Sequence, residues 1–215
     1  MYLLTENMTN EQVRHNIRHL LSQTNRMGMN GLLAHMDKIG FFEAPCSGVH
    51  HLAEVGGLAR HSLNVYNLAQ AVADLELFDH ASLYYQSIIL VCLLHDLGKA
   101  GQFDKPGYIP NMLNGRPTKA NPNPEPEQSK AKPYEGNKAL LPVAHETRSI
   151  VIASQFIDLT EEEQFAILYH NGMYGTAKYD LQGHETPLQM LLHFADMWAS
   201  HVTEKAYGRE TADEA

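Results

Sequence analysis

Apolar residues recur along this chain at three- and four-residue intervals, the spacing that gathers them on one face of an α-helix. Val13, Ile17, Leu20 and Leu21 follow Thr9 and Gln12, a capping pair that marks a helix start. A short helix is predicted over residues 32–39, stopped at Gly40, and residues 41–48 read as a turn-rich connection. After Gly56 and Gly57, the positions Leu58, Val65, Leu68 and Val72 trace a stripe that runs out near Asp74. Another helix is predicted over residues 82–97, around the longest apolar run (88–94), with Gly98 as its stop signal. Thr160 and Glu163 cap a helix carrying Phe165, Ile167 and Leu168. Thr186 and Pro187 open a last one, with Leu188, Leu191, Leu192, Ala195 and Trp198. The period-two alternation of half-buried strands is absent, so the expected class is all-α.

Residues 104–142 break the pattern. They hold eight of the ten prolines and few large apolar side chains, a composition that excludes a regular core element. Lys105, Arg116, Lys119, Lys130, Lys132 and Lys138 face Asp104, Glu125, Glu127 and Glu135, a net charge of +2 in a chain of net charge −9. Either this is a solvated loop, or it is a lid over a site, as long loops in compact domains often are. The 215 residues suit a single domain carrying this segment as an insertion.

The acidic balance argues against a long duplex nucleic acid or a membrane surface as partner, since either is met by a basic face. No stretch reaches the roughly 18 apolar residues of a membrane span, and the first ten residues lack the basic start and apolar core of a secretion signal. Two cysteines, Cys46 and Cys92, give no disulfide framework, so a cytoplasmic location is expected. The composition is unusual in its 13 histidines, nearly as many as the 16 lysines and arginines together. Histidine is the commonest protein metal ligand, so the positions of these residues matter most.

His95 and Asp96 follow the apolar run at the end of a helix expected to be buried, and a buried carboxylate needs a cation beside it. Taken alone the doublet is equally a hydrogen-bonded helix terminus. His61 lies on the Leu58–Val72 stripe and Asp196 lies between Leu192, Ala195 and Ala199, so each turns a ligand-type group toward the core. A lone core histidine usually finds an ordinary partner. Three apolar helices that each turn such a group inward point to a shared ion. His145 opens the segment after the proline-rich stretch, and His170 ends the 165–168 helix. Imidazole and carboxylate together suit Mn, Fe, Co, Ni or Zn. Lys99 could reach a phosphate oxygen or simply offset the helix dipole, and His50 and His51 are candidate substrate contacts. His193, three residues before Asp196, is an alternative ligand. His15, His19, His35, His80, His184 and His201 read as surface residues, and Cys92 as core filling.

The order His61, His95-Asp96, His145, His170, Asp196 resembles the HD superfamily of metal-dependent phosphohydrolases, in its subset with a two-metal site. The flanking blocks Phe41-Phe42-Glu43-Ala44-Pro45, His50-His51 and Gly56-Gly57-Leu58-Ala59-Arg60-His61-Ser62-Leu63 are similar to uncharacterised bacterial HD hydrolases and to the catalytic half of HD-type 3′-5′ exoribonucleases. So are His145-Glu146, Leu168-Tyr169-His170-Asn171-Gly172 and Ala195-Asp196-Met197. The likeness covers about 41–200, apart from much of the proline-rich stretch. It implies an HD-domain helical bundle, with His61, His95, Asp96 and Asp196 on a first divalent metal. Asp96 would bridge to a second metal on His145 and His170. Related proteins often carry a His-His pair where this chain has His170-Asn171, and the exoribonucleases carry a nucleic-acid-binding OB domain for which this chain has no room.

The implied activity is hydrolysis of a phosphomonoester or phosphodiester in a nucleotide or short oligonucleotide, with Asp96 and Lys99 as catalytic groups. Three rivals stay open: an exonuclease on short single strands, a mixed-valent di-iron oxygenase of the same fold, and a non-enzymatic nucleotide-binding module.

Overall fold

A computed structural model describes residues 5–75, 84–115, 117, 119, 121, 123–176 and 178–204. The expectation for His80 and the helix start at Ser82 lie outside them. The described residues are mostly helical. The helices are α1 (Asn10–Gln23), α2 (Met29–Lys38), α3 (Gly57–Ala73), α4 (Tyr85–Leu94), α5 (His145–Ala153), α6 (Glu161–Leu168), α7 (Lys178–Leu181) and α8 (Pro187–Trp198).

The helix starts lie where local chemistry puts them. Thr9 accepts from the Gln12 amide while the Gln12 side chain accepts from the Thr9 amide, closing the capping box of α1. Thr160 and Glu163 do the same for α6, and Thr186 caps α8 with Pro187 in its first turn. Val13, Ile17 and Leu21 of α1, and Leu188, Leu191, Leu192 and Ala195 of α8, are buried along single stripes.

At the middle stands α4. Every residue from Ser87 to Leu94 is buried, because α1, α3, α6 and α8 all pack against this helix. A helix covered on all sides has no use for a polar face, which explains its unbroken apolar run. It ends at Leu94, three residues earlier than its pattern predicts, and a tight 3₁₀ turn, Leu97–Ala100, follows. Asp96 sits between them at φ −104°, ψ 8°, off the helical path. The reason is tertiary. Gly98 lies so close to α5 that a Cβ there would stand 2.3 Å from the His145 carbonyl oxygen, and its amide donates to Ser149 Oγ at 2.8 Å.

The proline-rich stretch folds into short antiparallel ribbons: β1 (Gly101–Gln102) with β2 (Lys105–Pro106), β3 (Tyr108–Pro110) with β6 (Tyr134–Gly136), and β4 (Met112–Leu113) with β5 (Glu127–Gln128). Its base is tied to the helices. The Gly107 amide donates to the Ala100 carbonyl at 3.0 Å, the Tyr134 amide to Gly48 at 3.2 Å, and Lys105 Nζ to Ala139 at 2.9 Å. The buried Arg148 guanidinium spans Gln102 Oε1 at 2.9 Å and the Leu141 carbonyl at 3.0 Å. Among the described residues no helix is long and apolar enough to cross a membrane.

Candidate metal centre

Five elements deliver ligand-type side chains to one point. The first half of α3 is buried on both faces and supplies His61. The break after α4 supplies His95 and Asp96, and the 3₁₀ turn supplies Lys99. His145 is the first residue of α5, His170 follows the end of α6, and Asp196 projects from α8. At the start of α3, a Cβ on Gly57 would stand 2.0 Å from the Leu52 carbonyl oxygen, so only glycine lets the loop bearing Cys46 and His51 lie against the helix that bears His61.

Asp96 is at the centre, 1% exposed. Its Oδ2 lies 3.6 Å from His61 Nε2 and 3.4 Å from His95 Nε2, and its Oδ1 lies 3.2 Å from His145 Nε2 and 3.7 Å from His170 Nε2. The two oxygens thus address two different histidine pairs. Asp196 Oδ1 joins the first pair, 3.1 Å from His61 Nε2. The opposite nitrogen of each ring is engaged outward. Nδ1 of His95 donates to the Cys92 carbonyl at 2.9 Å and Nδ1 of His170 to the Ile167 carbonyl at 2.8 Å. Nδ1 of His61 faces Glu204, and Nδ1 of His145 lies 3.4 Å from Glu146 Oε2. A carbonyl only accepts, so in His95 and His170 the proton sits on Nδ1 and the inward Nε2 offers a lone pair.

The inward atoms are left over. His61 Nε2, His95 Nε2, His145 Nε2 and both Asp96 oxygens are buried and make no hydrogen bond among the described residues. The Lys99 ammonium, 2.6 Å from Asp96 Oδ2, answers that oxygen as an ion pair. Each of the other four costs about 1–3 kcal/mol when unsatisfied, and four at one point call for a further cation. His61, His95 and Asp196 form one group whose ligand atoms lie within 4.8 Å of one another, and His95, Asp96 and His170 form another. This donor set of imidazole nitrogen and carboxylate oxygen fits a divalent transition ion.

The electrostatics keep both carboxylates charged and His170 neutral, whereas Cys46 and Glu204 outweigh burial and raise His61 well above 6.5, so a cation there must displace a proton. Burial opposes the Asp96 charge, but Lys99 and then His95 hold its carboxyl well below the usual range. Burial likewise opposes charge on Asp196, which the His61 ring 3.1 Å away, and then His95, more than offset. Burial and the neighbouring His95 push His170 down to about 3, so it stays neutral at physiological pH. Lys99 Nζ sits 2.6 Å from Asp96 Oδ2. This contact overcomes the effect of burial and holds the ammonium charged.

A cavity of about 140 Å³ opens beside these groups, lined among others by Lys99, His145, His170 and Asp196. Of the two predicted substrate contacts, His51 lines it. His50 does not: its side chain is exposed, and its amide donates to Ser47 Oγ at 2.9 Å. His193 also lines the cavity, with Nδ1 donating to the His170 carbonyl at 2.8 Å, and Asn171 Nδ2 donates to Glu146 Oε1 at 2.5 Å. His15, His19 and His184 are exposed as expected, whereas His35 is half-buried with its ring 5.0 Å from Phe156. His201 is exposed yet contributes to the cavity wall. Cys92 is buried in the core.

Sequence reasoning missed two residues. Cys46 is buried with Sγ 3.9 Å from His51 Nε2, and together with His51 and His61 it forms a third group of ligand-type atoms within 4.8 Å. Glu204 is 3% exposed and accepts from His51 and His61. No pattern announces Glu204, because α8 passes into a wide π-helical turn, Ala199–Thr203, that shifts the phase of the residues after it. No protein-family model, curated protein or solved structure matches this chain.

Proposed function

We propose that the chain is a metal-dependent phosphohydrolase of the HD type, a single HD domain of residues 1–215 with 104–142 as its insertion. His61, His95, Asp96 and Asp196 hold one divalent cation, drawn from Mn, Fe, Co, Ni and Zn. Asp96, His145 and His170 hold a second. The observation that carries this reading is the division of the Asp96 oxygens, Oδ2 toward His61 and His95 and Oδ1 toward His145 and His170. The same order of residues resembles the two-metal HD hydrolases, in which this aspartate bridges.

When bound, such cations supply Lewis-acid polarisation of a phosphoryl group and activate water near neutral pH. The remaining work falls to the chain. Lys99 pairs with Asp96 Oδ2 when no other cation is near, and its ammonium is the group placed to take a phosphate oxygen once the carboxylate is engaged elsewhere. His51, on the cavity wall, is a second donor to substrate. The insertion acts as a lid: its β3 residue Tyr108 and its Asn137 and Lys138 share a cavity of about 370 Å³ with Lys99 and His145. The substrate is a small phosphorylated molecule, a nucleotide or short oligonucleotide, taken from a reducing cytoplasm.

The test pairs metal analysis of the purified protein with phosphate release from a panel of nucleotides and p-nitrophenolate release from bis-p-nitrophenyl phosphate, for wild type and Asp96→Asn. Wild type is expected to carry one or two transition ions and to hydrolyse members of the panel. The variant is expected to lose at least one ion and over 99% of the rate. A metal-free, inactive wild type, or an unaffected variant, overturns the reading. Oxygen consumption by the iron-loaded protein without hydrolysis of any member of the panel would assign the oxygenase chemistry instead.

A further inference from the structure

We propose that Glu204 is a positioning residue that sets one metal ligand and one wall of the substrate cavity through a single carboxylate. The inference rests on the metal-centre reading above. Both Glu204 oxygens lie 3.1 Å from His61 Nδ1, and Oε2 also accepts from His51 Nδ1. Oε1 further accepts from Asn64 Nδ2 at 3.0 Å. Asn64 is fixed in turn, because its Oδ1 accepts from the Thr5 amide at 3.2 Å and from Thr5 Oγ1 at 2.7 Å. All of these groups are buried or nearly so. The carboxylate therefore has little freedom, and neither have the two rings that donate to it.

The consequence lies in the tautomer of His61. A carboxylate only accepts, so the Nδ1 that faces Glu204 carries a proton, and Nε2 is the atom left to ligate. That Nε2 points at Asp96 and Asp196 and makes no hydrogen bond among the described residues. Histidines that bind metals are commonly oriented by a carboxylate in this manner. What is particular here is the sharing. His51 and His61 stand edge to face, ring centroids 4.8 Å apart, and both hang on the same side chain. The wide turn Ala199–Thr203 is what brings Glu204 round to them, from the same helix that carries Asp196.

Glu204→Gln keeps the volume but replaces one acceptor oxygen by a donating amide nitrogen. Whichever way the amide turns, its nitrogen meets a donor, Asn64 Nδ2 at the Oε1 place or His51 Nδ1 at the Oε2 place, so the shared anchor loses a partner and its charge. The metal-free forms of wild type and variant are to be titrated with Zn²⁺ against a chromophoric chelator, with the Tm of each metal-free form recorded beside it. Glu204→Gln is expected to bind Zn²⁺ about 10- to 100-fold more weakly, and Glu204→Asp to recover part of that loss. Nitrogen NMR of the Zn²⁺-loaded wild type supplies a readout that no variant's folding can confuse. His61 is expected to coordinate through Nε2 with its proton on Nδ1. Equal affinity in Glu204→Gln, or coordination of His61 through Nδ1, overturns this inference alone. A wild type that takes up no metal overturns the metal-centre reading and this inference with it.

Discussion

Each buried imidazole at the centre has one nitrogen tied outward and one turned in, and that asymmetry separates the proposed ligands from their neighbours. His193 differs: its Nδ1 donates to the His170 carbonyl at 2.8 Å, so it acts on the backbone beside a proposed ligand. His193→Ala is expected to leave metal content unchanged and to cost about 1 kcal/mol of stability, the worth of one ordinary hydrogen bond. Metal analysis and a denaturant titration check this, and a loss of metal would move the ligand set on α8. The His51–Glu204 contact makes stability depend on pH. Burial opposes charge on His51, but Cys46 and Glu204 outweigh it and raise its pKa from 6.5 to about 9. A pKa raised on folding stabilises fully below 6.5, and the benefit is lost as pH climbs to about 9. In chelator, the Tm of the metal-free protein is therefore expected to fall between these two values. A flat or rising profile would mean that His51 does not carry its proton on the Glu204 carboxylate.

Three helix starts were legible because they are local, whereas α2 begins at Met29, three residues before its apolar pattern, behind a left-handed Gly28. The hydroxyls of Thr9, Thr160 and Thr186 each reach an amide three residues on, so the capping chemistry lies within one short window of sequence. The end of α4 was not legible, because the contact of Gly98 with α5 involves residues some fifty positions away in the chain, and the apolar pattern runs on past the break. Glu204 was hidden for a related reason, the π-helical turn having put it out of step with the 3.6-residue period. The proposed ligands His61 and Asp196 were visible because each interrupts an apolar stripe, and His95 and Asp96 because they come directly after the apolar run. Gly98→Ala would press a methyl against the His145 carbonyl and the Ser149 amide. It is expected to destabilise the protein by about 1–3 kcal/mol, as overpacking commonly does. It should also weaken metal binding, since His145 and Asp96 flank that contact. A chemical-denaturation midpoint that does not move would show that the Leu97–Ala100 turn can shift off α5 freely.

At the scale of the whole molecule the proline-rich stretch was read only as a choice between loop and lid, because composition reports what a segment cannot be. Its anchors to Ala100 and Gly48 are tertiary and leave no trace in the pattern. The described ribbons also divide its charge. Residues 112–128 hold Arg116 and Lys119 against Glu125 and Glu127, so the net +2 belongs to the base, where Lys130, Lys132 and Lys138 lie. The backbones of Asn111 and Ser129 already meet, through an amide–carbonyl bond of 2.8 Å. Replacing 112–128 by Asn-Gly should therefore keep the base, with metal content and KM for an anionic substrate unchanged within about twofold, well under the tenfold that corresponds to 1.4 kcal/mol. A large rise in KM would assign substrate contact to the tip. The position of α4 bears on how the protein reaches its native state. Ile88–Leu94 offers no polar side chain to water, so until α1, α3, α6 and α8 have closed around it the nascent chain exposes a continuous apolar rod. Association between such chains competes with folding at a rate set by concentration. Refolding yield from denaturant should therefore fall as protein concentration rises, even where the native protein remains dissolved.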